Sequence, residues 1–210
     1  MKKMMFELNE QKKENIVNSL ATLSMLDRQI ISFPYFSNIE ISGLIRYCSQ
    51  ISFRKANSIT KTGVIQDFSV CFPAPKIGIM KECINHFDMI FSMPEIQHYF
   101  SSTISFNDVS VQKYEPGSSG IGIHRDGLRY RDLVLIICLS GCSELFISDN
   151  REGVGAQVIN DKPGRLVIMS APGFKNLIDP KSRPLHGVKN IRRGRLSIGL
   201  RCDSNHTKID

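Results

Sequence analysis

The sequence predicts an α+β chain in which N-terminal helices pack outside a double-stranded β-helix, or jelly-roll, core. Three observations lead there. Apolar residues recur at helical spacing through most of the first 103 positions, and from 104 onward the pattern changes to short alternating or apolar runs broken by Gly, Pro, Asp and Asn. The chain, 210 residues and 41% hydrophobic, is large enough for one sizeable core.

From Leu8 to about Gln29, Ile16, Leu20, Leu23 and Leu26 fall on one helical face behind a polar start, which predicts a surface helix. After "FPYF", the stretch "IEISGLIRYCSQI" predicts a second helix, followed by a short strand around 52–56. "PKIGIMKECINHFDMIFSMPEIQHYF" predicts a third helix ended near Met93 by Pro94, with a short one after it. Residues 1–103 are therefore read as a mostly helical region of outer helices and a candidate substrate lid. Residues 104–210 are read as the core: "SFNDVSVQKY", "DLVLIICLSG", "SELFISDN", "GAQVIND", "GRLVIMSA", "HGVKN" and "RGRLSIGLRC" are strand candidates at the spacing of an antiparallel sandwich or barrel.

Composition narrows the function classes. No run approaches the roughly 18 consecutive apolar residues of a membrane helix, and "MKKMMFELNEQKKEN" has no apolar segment behind its basic start, so a cytoplasmic location with no membrane partner is expected. The six cysteines, at 48, 71, 83, 138, 142 and 202, form no CxxC pair; free thiols, with neither disulfide nor zinc site, are expected. The formal net charge of +7 suits an anionic partner without choosing among nucleic acid, carboxylate and phosphate. A monomer is expected.

The chemistry concentrates late in the chain. His124 and Asp126 lie two apart, so on extended backbone they project to one face and can take neighbouring positions around one metal ion. His186, which begins a late strand, is the best third ligand. Two His and one carboxylate leave three open positions, the arrangement of non-haem Fe(II) oxygenases. By itself an HxD triplet is a weak signal. His86 and His98 sit in helical patterns without partners and read as structural, and His206 lies in a polar tail and reads as unliganded. In "GRLSIGLRC", Arg195, Ser197, Gly199 and Arg201 share one strand face, with the guanidiniums rooted about 20 Å apart at roughly 3.3 Å per residue. A short dicarboxylate fits between them. An edge strand with a solvated basic face would show the same alternation.

Together, "VQKYEPGSSGIGIHRD", "VLIICLSGCSELFI", "PGRLVIMSAPG" and "PLHGVKNIRRGRLSIGLR" resemble the Fe(II)/2-oxoglutarate-dependent oxygenases, within them the AlkB-like branch, over residues 109–202. The resemblance implies Fe(II) held by His124, Asp126 and His186, with 2-oxoglutarate and O2 as cosubstrates. It assigns Arg195 and Ser197 to the distal carboxylate of 2-oxoglutarate, Arg201 to the second arginine near its other end, and Tyr114 to a hydrogen bond with it. Gln112 stands where AlkB-like enzymes usually have Asn. The implied reaction hydroxylates, or oxidatively demethylates, a C–H bond of an organic substrate and releases succinate and CO2. For an alkylated nucleic acid, Arg129, Tyr130 and Arg131 are the substrate candidates. Against that substrate, Leu128 replaces a common acidic residue and the chain has no Trp. A hydroxylase of a small molecule, amino-acid-like or natural-product-like, or of a protein side chain is the alternative, and a non-enzymatic jelly-roll binding module is the third.

Overall fold

The computed structural model describes residues 5–25, 29–100, 102–175, 179 and 183–206. Helix α1 spans Glu10–Leu23, with the Asn9 side chain accepting from the Lys12 backbone N–H at 2.9 Å. Helix α2, Asn38–Cys48, starts with a capping box that "SNIE" encodes: Glu40 N–H donates to Ser37 Oγ, and Ser37 N–H donates to the Glu40 carboxylate. Helix α3 runs Gly78–Phe91, and Pro94 opens the short α4, Pro94–Gln97. The predicted extension of the first helix to Gln29 is too long, because the chain leaves the helix at Ser24; Leu26 lies outside the described residues.

Twelve strands follow in chain order among the described residues: β1 Ile30–Pro34, β2 Arg54–Lys55, β3 Gln66–Asp67, β4 Ser69–Cys71, β5 Asp108–Tyr114, β6 Gly120–His124, β7 Tyr130–Gly141, β8 Glu144–Ser148, β9 Gln157–Ile159, β10 Arg165–Ser170, β11 Leu185–Lys189 and β12 Arg195–Asp203. They form two antiparallel sheets, a seven-stranded one in the order β1-β10-β7-β12-β5-β4-β2 and a five-stranded one in the order β3-β6-β11-β8-β9. Every predicted core strand is present. The mostly helical reading of residues 1–103 needs correction, since β1 pairs with β10, β4 with β5 and β3 with β6. β3 and β4, at two and three residues, are too short to show a period-two signal, and β1 is an edge strand whose "IISFP" ends in proline.

Period two explains how the long sheet is covered. Along β12, Ile198 and Leu200 join the same buried cluster as Leu133, Leu135, Ile137 and Leu139 of β7, Leu166 and Ile168 of β10, and the helical residues Leu20, Leu44 and Phe87. The alternate residues Val134, Val167 and Met169 pack instead against Ile121, Leu145 and Val188 of the five-stranded sheet. One face is thus sealed by helices and the other faces the second sheet. At Gly120, φ is +86° and a Cβ would overlap the Val188 carbonyl, so glycine is what lets β6 lie this close to β11.

Candidate metal centre

His124 ends β6 and His186 lies opposite it on β11, in direct register. Their ring centroids are 4.4 Å apart, and with Asp126 they offer ligand atoms that all lie within 4.8 Å of one another. Each imidazole has one nitrogen committed: His124 Nδ1 donates to the Gly122 carbonyl at 2.9 Å and His186 Nδ1 to the Pro184 carbonyl at 3.2 Å. A carbonyl only accepts, so both rings carry a proton on Nδ1, and Nε2 is the nitrogen left to face a metal.

Electrostatics hold the group in its ligating form. Burial opposes the Asp126 charge, but Arg201, whose Nε is 3.8 Å from Asp126 Oδ2, together with both histidines and Arg183, holds the carboxyl below its usual range. Burial, then the neighbouring His124, pushes His186 down to about 4, so it is neutral at physiological pH. Asp126 Oδ2 is buried without a hydrogen bond. An orphaned carboxylate oxygen beside two free imidazole lone pairs is the donor set a divalent cation needs.

The pocket beside the triad is lined from both sheets, by Gln112, His124, Asp126, His186, Arg195, Ser197 and Arg201 among others. The edge-strand reading of "GRLSIGLRC" is excluded: β12 lies between β7 and β5, and Arg195 is 3% exposed. Arg195 Nη1 donates to Asp161 and, at 3.0 Å, to Ser143 Oγ, while its buried Nε makes no hydrogen bond. Arg201 donates to Ser110 Oγ at 2.8 Å and lies 3.6 Å from Asp108. A Cβ at Gly199 would sit 3.0 Å from Ser110 Oγ and 3.1 Å from Arg201 Nη1, so glycine keeps that contact open. Both guanidiniums therefore already face carboxylates of the protein. Tyr114 donates to Gln112 Oε1 at 3.0 Å and reaches the pocket only through it.

Above the triad opens a cleft of about 470 Å³, lined by β2, the segment after it, β4, β5, β6 and Tyr130. Of the three substrate candidates, Tyr130 alone lines it. Arg129 is turned away, with Nε 3.2 Å from Asp203 Oδ2, and the exposed Arg131 does not reach the cleft. His86 is buried among aromatic rings with Nε2 2.6 Å from Tyr35 Oη, and burial lowers it to about 4. His98 is exposed and packs against Tyr99, the two rings tilted by 38°. The His206 side chain lies outside what is described. Sequence reasoning missed Asp108 and Ser110, although "DVSVQKY" places them on the face of Gln112 and Tyr114, and missed Asp161, which carries no periodic signal because it follows β9 in a loop. All six cysteines are free, and no helix among the described residues is long and apolar enough to cross a membrane.

No family model and no curated protein matches the chain in sequence. Solved structures do match in shape. A prolyl hydroxylase from Trichoplax adhaerens, solved with a hypoxia inducible factor oxygen degradation domain peptide fragment, superposes with a TM-score of 0.61 at 16% identity over 93% of this chain and 92% of that one. A prolyl-4-hydroxylase from Pseudomonas putida gives 0.63 at 15% identity over 90% and 98%. A 2OG-Fe(II) oxygenase family oxidoreductase from Burkholderia pseudomallei gives 0.58 at 12% identity over 97% and 96%. At such identities the likeness is one of backbone architecture, and what it establishes is that this chain has the double-stranded β-helix fold on which those oxygenases are built.

Proposed function

We propose that the protein is an Fe(II)- and 2-oxoglutarate-dependent dioxygenase acting on a C–H bond of an organic substrate. The observation that carries this is the convergence of ligand atoms from His124, His186 and Asp126, whose Oδ2 is unbonded, in one pocket with Arg195 and Ser197. His124, Asp126 and His186 would hold the iron, and Arg195 Nε and the Ser197 hydroxyl would take the distal carboxylate of 2-oxoglutarate. Bound there, Fe(II) with 2-oxoglutarate and O2 supplies the oxidising chemistry, with succinate and CO2 as by-products.

The chain's own contribution is positioning, charge control and exclusion of water. Arg201 keeps Asp126 ionised, and the Gly122 and Pro184 carbonyls fix the imidazole tautomers. Ile121, Ile136, Leu145 and Val188 wall the pocket with apolar surface. The cleft above gives a substrate side chain or ring access to the triad from one direction. Hydroxylation of a peptide side chain is supported by the likeness to prolyl hydroxylases. A second reading, AlkB-like dealkylation of nucleic acid, rests on the arginines of the cleft, which suit an anionic substrate.

Succinate formation by anaerobically reconstituted protein with Fe(II), 2-oxoglutarate and O2 tests the reaction class. His124→Ala should abolish it. Stimulation by prolyl peptides or by methylated oligonucleotides separates the two substrate readings. Absence of both metal binding and turnover in wild-type protein would defeat the oxygenase reading.

A further inference from the structure

The charges lining the cleft do not balance. Its walls carry Arg54, Arg125 and Arg201 against one carboxylate, Asp126, which the metal centre claims. Arg201 is accounted for by Asp108 and Asp126 at 3.6 and 3.8 Å. Arg125 makes one side-chain hydrogen bond, from Nε to the Arg183 carbonyl at 2.9 Å, which aims the guanidinium while leaving its charge unmatched among the described residues. Arg54 reaches only the Lys55 carbonyl, at 3.4 Å. Arg125 follows the end of β6 in the five-stranded sheet and Arg54 lies on β2 in the seven-stranded one, so the two charges flank the cleft from different sheets.

Arg183 lies outside the cleft lining, where it donates to the Asp126 carbonyl and positions Arg125 through its own carbonyl. Gathering like charges at the mouth of a partly buried cleft is unfavourable until an anion is bound. Guanidiniums on two walls are suited to bidentate pairing with an oxyanion. Between them the lining is apolar or neutral, with Val64, Phe68, Phe72 and Tyr130 beside Asn57 and Thr60.

We propose that the cleft accepts a substrate bearing an oxyanion, a carboxylate or a phosphate, gripped by Arg125 and Arg54, while its uncharged portion extends inward toward His124, Asp126 and His186. This rests on the oxygenase reading for the identity of the inner site, and on the cleft alone for the anion.

Calorimetric titration of Mn(II)- and 2-oxoglutarate-loaded protein with phenyl phosphate, phenylacetate and neutral phenylacetamide tests it. At least one anionic probe should bind well above the amide. Its affinity should fall about tenfold in Arg125→Gln and severalfold in Arg54→Gln, at unchanged melting temperature. Arg151→Gln, an exposed arginine outside the cleft lining that bonds the Thr62 carbonyl, should match wild type. A preference for phenyl phosphate points to phosphate-bearing substrates and a preference for phenylacetate to carboxylates. Equal binding of the amide, no binding of any probe, or unchanged anion affinity in both cleft variants would overturn the proposal. Anion binding that persists in protein unable to bind Mn(II) and 2-oxoglutarate would retain the anion site and remove the oxygenase reading.

Discussion

The two faces of the seven-stranded sheet differ in everything except backbone. The face under the helices is dry, built from Leu, Ile, Val and Phe such as Leu133, Ile137, Leu166 and Leu200. The face toward the five-stranded sheet carries Ser110, Gln112, Arg195, Ser197 and Arg201 among a smaller apolar set. Strand β12 contributes to both, one residue to each side in turn. Because the dry face fixes the strand rigidly, the other face can hold its arginines at set positions opposite the proposed metal triad on β6 and β11 of the five-stranded sheet without having to supply the stability itself.

Lesions on the two faces should therefore separate function from folding. The largest effect belongs to the proposed metal triad: His124→Ala should lower 2-oxoglutarate-dependent succinate formation by more than the roughly 100-fold typical of residues that merely orient a ligand. Its thermal unfolding should stay close to wild type; a collapsed structure would show that the space between the two sheets also carries the fold. Next, Arg195→Met leaves Asp161 as a buried carboxylate without its cation, and should cost about 3–5 kcal/mol in urea unfolding. Arg195→Met combined with Asp161→Asn should recover most of that stability and none of the 2-oxoglutarate affinity. On the dry face, Leu200→Ala should cost about 2–4 kcal/mol by leaving a cavity, while the folded fraction binds Mn(II) normally.

The smallest effect sharpens the comparison at a misplaced charge. Asp132, on β7, is buried with Oδ1 unbonded, and burial raises it to about 6. Its φ of +61° suits Asn as well as Asp. The folded state binds more protons here than the unfolded state between about pH 4 and 6, so this residue makes stability rise as pH falls through that window. Asp132→Asn should stabilise the protein at pH 7 by about 2 kcal/mol, with the gain fading as pH falls from about 6 to about 4. A gain independent of pH would show that the carboxyl titrates alike in the folded and unfolded states, so that burial does not raise it.

Several of these positions were legible in the sequence and others were not. His124, Asp126 and His186 could be proposed from an i, i+2 pair and a later strand, and the structure brings their donor atoms together. The alternation in "GRLSIGLRC" separated its two faces correctly, but could not tell a buried central strand from an exposed edge. "RYRDL" looked like a substrate contact by proximity to the iron clip, whereas Arg129 is held by Asp203 from the other end of the chain. Arg125 was passed over as the middle residue of the triplet, although the cleft wall is where it lies.

What the sequence determined by itself is whatever depends on residues close in the chain: helical and strand periods, the capping box at Ser37, the two-residue spacing of His124 and Asp126, and the alternation along β12. What only the tertiary structure decided is every pairing between distant segments. Arg195 meets Asp161, Arg201 meets Asp108, and Arg54 shares a cleft with Arg125. Local periodicity fixes which way a side chain points, while the partner it meets depends on strand order and register, which are set by burying both faces of the long sheet at once.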